Sequence, residues 1–216
     1  MAFHVIFDMD GVILDTERMY LNAWRQVAEE NGLGDMDALI GRCIGLNERK
    51  TRELVTRHLG PDRNYDLLRE QVREAFDRQA GKSGIPVKKG VYDIFPYLAS
   101  RKILMGLASS TRRERVVSQL TDAGLIGYFS AVVTGDMVRS SKPEPEIFLL
   151  CAERMGVSPA DTYVIEDSFN GITAAHRAGM MPIMVPDLKQ PDDAIRAMTV
   201  TVERDLNDVI TFLSGK

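Results

Sequence analysis

Short apolar runs alternate with stretches of helical period along most of the chain. Residues 3–7 form an apolar run that ends in carboxylates, which is typical of a buried parallel strand with polar groups at its C-terminal end. Four similar runs follow, at residues 103–108, 131–134, 163–165 and 182–185. This alternation predicts successive βαβ units.

The intervening stretches have the apolar spacing of helices that cover a sheet. Residues 113–123 carry Val116, Val117 and Leu120, which we assign to one face, and residues 146–155 carry a comparable apolar set. Helices of this kind lie on both faces of a parallel sheet. We therefore predict an α/β fold with a doubly wound, Rossmann-like parallel sheet at its centre.

One long segment, residues 15–86, interrupts the alternation with helical pattern alone. Its first helix candidate has an apolar stripe that we interpret as packing within the segment: Tyr20, Ala23, Trp24, Val27 and Ala28. Residues 48–59 and 67–79 are further helix candidates. We predict a catalytic core made of residues 1–14 and 87–216, with residues 15–86 inserted as an α-helical cap.

Composition and charge exclude several classes of partner. The 216 residues are 44% hydrophobic, which suffices for a full core and a second small unit. The formal net charge is −4 and the basic residues are scattered, so we expect no nucleic-acid partner. The apolar runs are too short for a signal segment or a membrane span. Cys43 and Cys151 lie far apart, which favours reduced thiols and a cytoplasmic location, and we expect a monomer.

Polar residues follow the apolar runs, and the C-terminal ends of parallel strands meet at one edge of a sheet. We therefore expect these residues to converge there: Asp8, Asp10, Gly11, Ser109, Ser110, Thr111, Lys142, Glu166 and Asp167. Several carboxylates placed together repel one another unless a cation compensates them. A hard divalent ion with oxygen ligands fits best, so the sequence predicts a Mg²⁺ cofactor.

The remaining groups suit a phosphoryl group. Lys142 and the Ser109 hydroxyl can bind phosphate oxygens, and Asp8 can attack phosphorus to form an acyl phosphate. Asp10 can protonate the leaving oxygen and later take a proton from the acceptor. Gly11 lets the chain turn without a Cβ near the phosphate.

Four segments resemble the motifs of the haloacid-dehalogenase superfamily: DMDGV at Asp8, LASST around Ser109, SKPEP at Lys142 and VIEDSFNG at Asp167. The helical insertion is similar to the cap of the subgroup that includes β-phosphoglucomutase and many sugar-phosphate phosphatases. The resemblance implies the same roles for Asp8, Asp10, Ser109 and Lys142. It also implies metal ligation by Asp8, by the carbonyl of Asp10, by Glu166 and by Asp167. The true dehalogenases lack the second aspartate, so Asp10 argues against carbon–halogen chemistry.

Two of these assignments, the phosphate-binding hydroxyl and the role of Glu166, leave an alternative open. Ser110 or Thr111 could cap the next helix, or one of them could bind phosphate in place of Ser109, and we retain Ser110 as a substrate-binding candidate. Glu166 is either a metal ligand or a group that supports the ligands.

The cap should distinguish a phosphatase from a mutase. Mutases of this subgroup usually carry a histidine early in the first cap helix and an arginine after a Gly-Val-Ser turn, which hold a distal phosphate. This sequence has Tyr20 and Glu48 at those places, although Arg49 could substitute as a substrate-binding group. We therefore predict a Mg²⁺-dependent phosphatase acting on a small phosphorylated metabolite, with a phosphosugar mutase as the alternative. A non-enzymatic phospho-receiver module is a third reading, but such modules have no cap.

Overall fold

The computed structural model describes residues 3–43, 48–60 and 62–216. The chain forms two compact units. The first, which we call the core unit, comprises Met1–Leu14 and Val87–Lys216, and the second, the helical unit, comprises Asp15–Pro86.

The core unit is built on a parallel sheet of six strands within the described residues. In chain order these are β1 (His4–Phe7), β2 (Met105–Ser109), β3 (Ala131–Thr134), β4 (Thr162–Glu166), β5 (Met181–Met184) and β6 (Thr201–Val202). Their order across the sheet is β3-β2-β1-β4-β5-β6, and all neighbouring pairs are parallel. The predicted α/β fold is confirmed. Only β6 was not predicted, because two half-buried residues give no apolar run.

Ten α-helices occur in the described part of the chain. They are α1 (Thr16–Glu30), α2 (Asp37–Cys43), α3 (Glu48–Leu59), α4 (Tyr65–Ser83), α5 (Val91–Ser100), α6 (Arg113–Asp122), α7 (Glu146–Met155), α8 (Phe169–Arg177), α9 (Asp193–Met198) and α10 (Leu206–Ser214). None of the helices in these residues has the length and apolarity needed to cross a membrane.

Strand β1 lies in the middle of the sheet and faces a buried layer on each side. Ile6 packs in the cluster that contains residues of α7 and α8, including Phe148. Phe7 points the opposite way and its ring lies 4.9 Å from that of Phe95 on α5. This alternation follows from the two-residue period of a strand, and it fixes the polar ends of β1 and its neighbours at one edge.

Helix α6 corrects one detail of the sequence analysis. Val116 and Leu120 are fully buried, as predicted, but Val117 is 37% exposed. Consecutive residues on an α-helix differ by about 100° around the axis, so Val116 and Val117 do not share a face.

The helical unit has its own apolar core, formed mainly between α1 and α4. The stripe predicted on α1 is buried there at Ala23, Trp24, Val27 and Ala28, and the Tyr20 ring stacks on Phe76 with centroids 4.4 Å apart. The interpretation of this stripe as internal packing is confirmed. The short helix α2 was not predicted, because seven residues give too little periodic signal.

The core unit also contains both chain segments that flank the insertion. Leu14 lies opposite Val87 in an antiparallel bridge, and the Lys88 backbone N–H donates to the Ile13 carbonyl. The Lys88 side chain forms an ion pair with Asp187, just after β5, with 2.7 Å between Nζ and Oδ1. These contacts tie the returning chain to the sheet.

Candidate active site

Five buried polar side chains lie at or near the C-terminal ends of β1, β2 and β4. Asp8 follows β1, Ser109 ends β2, Glu166 ends β4 with Asp167 directly after it, and Lys142 lies in the loop that precedes α7. Because β1 is flanked by β2 and β4, the strand order places these groups around the end of β1. This edge therefore holds five of the polar residues that were predicted to converge there.

Lys142 lies between two carboxylates. Its Nζ donates to Asp8 Oδ1 at 2.5 Å, to Glu166 Oε1 at 2.9 Å and to the Ala108 carbonyl at 3.1 Å. Burial alone would lower the pKa of Lys142, but the charges of Asp8 and Glu166 and their hydrogen bonds outweigh it and raise the pKa. Lys142 is thus held as a cation against Asp8.

Asp8 lies in a setting that disfavours its charge. Burial is the largest cause and raises its pKa from 3.8 to about 8, and the nearby Glu166 and Asp10 carboxylates act in the same direction. Lys142 opposes this shift without cancelling it. The site therefore calls for more positive charge than Lys142 supplies if all its carboxylates are to be ionised.

Three of these carboxylates could hold a metal ion together. Asp8, Glu166 and Asp167 are all buried, and each offers one oxygen within 4.8 Å of the others. Clustered carboxylate oxygens are the donor set that Mg²⁺ prefers, and the shared need for positive charge points the same way. The residues present fit a hard divalent cation.

Asp10 is held by two hydroxyl groups from the end of β2 and the loop after it. Its Oδ2 accepts from Thr111 Oγ1 at 2.8 Å and from Ser109 Oγ at 3.3 Å. Ser109 Oγ in turn accepts from the Thr111 backbone N–H at 3.1 Å. Ser109 is buried within this group, whereas Ser110 is exposed and is not part of it. Of the three hydroxyl residues left open by sequence, two contact Asp10.

Two glycines make room for the acids. Gly11 has φ +80°, and a Cβ there would lie 2.4 Å from Asp167 Oδ2. Gly171, in the first turn of α8, leaves even less space, because a Cβ would lie 1.6 Å from Glu166 Oε1. Gly171 was not predicted. The only signal in the sequence was its place in the VIEDSFNG segment. The first turn of α8, which follows β4 closely, brings residue 171 back toward residue 166 at the end of that strand.

Glu146 supports the loop that carries Lys142. Its carboxylate accepts from the backbone N–H groups of Arg139 at 3.0 Å and Ser140 at 2.8 Å. These two bonds lower the pKa of Glu146, so it stays ionised in that role. Sequence reasoning missed it, because a glutamate in the first turn of a helix is common.

The residues predicted to act in the cap belong to the helical unit. Arg49 lies on α3 with a side chain 77% exposed, and it pairs with Glu53 at 3.5 Å. The side chain of Glu48 lies outside the described part of the structure. The substrate-binding role of Arg49 stays a prediction.

Comparison with known proteins gives concordant matches. A sequence profile of the haloacid dehalogenase-like hydrolases matches residues 5–185. A Thermotoga maritima protein named phosphorylated carbohydrates phosphatase is 36% identical over 176 residues, which cover 82% of this chain and 81% of that protein. The Bacillus subtilis beta-phosphoglucomutase is 32% identical over 187 residues, covering 84% and 82%. A solved Thermotoga maritima structure, provisionally named beta-phosphoglucomutase, superimposes with a TM-score of 0.82 at 31% identity, covering 100% of this chain and 99% of that one.

Proposed function

This chain belongs to the haloacid dehalogenase-like hydrolases, and we propose that it is a phosphatase that hydrolyses small phosphorylated carbohydrates through a phosphoryl group carried by Asp8. The observation that supports this most is the placement of Asp8. Its carboxylate is buried at the end of the central strand, against the Lys142 ammonium and beside the carboxylates of Glu166 and Asp167.

The first half-reaction forms a bond between an Asp8 carboxylate oxygen and phosphorus and breaks the bond between phosphorus and the substrate alcohol oxygen. Asp10 gives its proton to that departing oxygen. Lys142 holds positive charge beside Asp8 while negative charge collects on the phosphoryl oxygens. We assign Ser109 a share in this phosphate contact, because it is the last residue of β2 and lies at the same edge of the sheet as Asp8.

The second half-reaction regenerates the carboxylate. Asp10, now ionised, takes a proton from water as the water oxygen bonds to phosphorus. The bond between phosphorus and the Asp8 oxygen breaks, and inorganic phosphate leaves. Splitting one difficult displacement into two steps in this way is the advantage of a carboxylate nucleophile.

A Mg²⁺ ion held by the Asp8 and Asp167 carboxylates and the Asp10 carbonyl, with Glu166 as ligand or support, would supply the positive charge that the buried acids lack. Glu166 also has a role of its own, because it accepts from Lys142 and from the Ser168 backbone N–H at 2.6 Å. It therefore fixes Lys142 in place whether or not it binds the metal.

The proposed substrate class rests on the names of the relatives. One is named for phosphorylated carbohydrates, and another is a beta-phosphoglucomutase, so a sugar phosphate is our proposed substrate. The second relative also keeps a phosphosugar mutase as the alternative. Membership of a hydrolase family argues against a non-enzymatic receiver module. Monomeric state and cytoplasmic location stay predictions.

The test is a panel of phosphorylated sugars incubated with Mg²⁺, in which both substrate loss and inorganic phosphate are measured. We expect one phosphate released for each ester consumed, and none with Asp8→Asn. β-Glucose 1-phosphate with a trace of glucose 1,6-bisphosphate, followed by phosphorus NMR, tests the alternative. Accumulation of glucose 6-phosphate without free phosphate would make the protein a mutase. Absence of turnover across the panel would contradict both.

A further inference from the structure

The Thr111 side chain makes a contact that the proposed reaction steps do not use. Its hydroxyl donates to Asp10 Oδ2 at 2.8 Å, which is shorter than the 3.3 Å from Ser109 Oγ to the same oxygen. Its backbone N–H donates to Ser109 Oγ at 3.1 Å. Thr111 thus contacts both the acid and the hydroxyl that lies beside it.

An ordinary role for this threonine would be to cap α6, which begins two residues later. The structure assigns that role elsewhere. The Asp136 carboxylate accepts from the Arg113 backbone N–H at 3.1 Å, while the position before the helix, Arg112, makes no side-chain cap bond. The hydroxyl of Thr111 is directed to Asp10 instead of to the helix.

The backbone around Thr111 is fixed on its other side. The Thr111 carbonyl accepts from the Gly135 N–H at 3.1 Å, just after β3. At Gly135 a Cβ would lie 2.2 Å from the Ser110 carbonyl oxygen, so the two loops pack backbone to backbone. A side chain on so firmly held a segment has a well-defined position, which is what orienting a catalytic group requires.

We propose that Thr111 is a positioning residue that orients the carboxyl group of Asp10 for proton transfer to the leaving oxygen. The inference rests on the proposed function, because it assigns Asp10 the proton-transfer role. Ser109 Oγ, at the longer distance, is the weaker of the two hydroxyl contacts and does not replace the bond from Thr111.

This role has a signature that general damage to the fold would not produce. Proton donation matters when the leaving group is a sugar alkoxide and matters little when it is p-nitrophenolate, which leaves readily without a proton. Misorienting the Asp10 carboxyl group should therefore slow the hydrolysis of sugar phosphates much more than that of p-nitrophenyl phosphate. The quantity to compare is kcat/KM, since it reports the step in which the leaving group departs.

The experiment compares Thr111→Val, which keeps the volume and loses the hydroxyl, with Thr111→Ser, which keeps the hydroxyl. For Thr111→Val we expect kcat/KM to fall about ten- to a hundredfold on the best sugar phosphate and less than about threefold on p-nitrophenyl phosphate. Thr111→Ser should retain most of the wild-type value. Thr211→Val is the matched control, because its hydroxyl donates to the Asn207 carbonyl on α10, and it should change neither rate.

Equal losses on the two substrates, or no loss with Thr111→Val, would overturn the inference while leaving the proposed function intact. A wild-type protein that hydrolyses neither substrate would overturn the proposed function, and the inference with it. If Thr111→Val does not fold, as judged by its melting temperature, Thr111→Ala serves in its place with the same expected ratio.

Discussion

Replacing Gly171 by alanine should damage the site by displacing the Glu166 carboxylate. The new Cβ would lie 1.6 Å from Glu166 Oε1 and 1.8 Å from the carboxyl carbon, so the carboxylate must move about 1.8 Å to reach ordinary contact at 3.4 Å. A movement of that size breaks the bonds to Lys142 Nζ and to the Ser168 N–H, of 2.9 and 2.6 Å. A buried carboxylate would be left without them, at a cost of about 3–5 kcal/mol.

For a chain of this size, about 2–4 °C of melting temperature is lost per kcal/mol, so Gly171→Ala should melt about 6–20 °C below wild type. Its kcat should fall about a hundredfold, because Lys142 loses one of the two carboxylates that position it and only Asp8 and the Ala108 carbonyl still hold it. The control is Gly81→Ala in α4, where a Cβ meets nothing within 4 Å. That change should be neutral or stabilise by up to about 1 kcal/mol. Wild-type stability and activity in Gly171→Ala would refute the reasoning.

Two further predictions concern charge in the core unit. Lys88→Met should lower the free energy of unfolding by about 3–5 kcal/mol, measured by urea denaturation. The reason is that it removes the Lys88 charge from the fully buried Asp187 side chain. The control is Lys89→Met, which removes an exposed ion pair with Asp205 of the same 2.7 Å length and should lower the free energy of unfolding by at most about 1 kcal/mol. Equal losses of stability in the two variants would contradict the argument. Burial raises the pKa of Asp8 to about 8. Between about pH 4 and pH 8 the folded protein without metal therefore keeps a proton on Asp8 that the unfolded chain has released. The free energy of unfolding of the metal-free protein consequently falls as the pH rises toward 8. The rise in melting temperature caused by Mg²⁺ should therefore grow from about pH 5.5 to about 8.5, and a rise independent of pH would count against the metal site.

Much of the core unit could be predicted from the periodic spacing of apolar residues. The five predicted strand runs are present, and family membership, which the four motifs suggested, is confirmed. Parallel strands bring their C-terminal ends together, so the convergence of Asp8, Ser109 and Glu166 at one edge could be predicted without knowledge of their contacts. Elements too short to show a period, such as β6, escaped prediction.

Contacts across the fold could not be read from the sequence. Glu146 holds two backbone N–H groups of the Lys142 loop, yet its sequence position is that of an ordinary helix-start glutamate. Gly171 was missed because its significance depends on where the Glu166 carboxylate lies. Which of Ser109, Ser110 and Thr111 contact Asp10 likewise depends on side-chain direction, which local pattern does not give.

The central claim is that Asp8 carries the phosphoryl group, and trapping that group tests it most directly. The enzyme would be mixed with its best sugar phosphate and Mg²⁺, quenched in acid within the first turnover, and reduced with borohydride, which converts an aspartyl phosphate to homoserine. Peptide mass spectrometry should then find homoserine at position 8, only when substrate was present and not in Asp8→Asn. Turnover with homoserine at another position, or Asp8→Asn activity within about tenfold of wild type, would contradict the account.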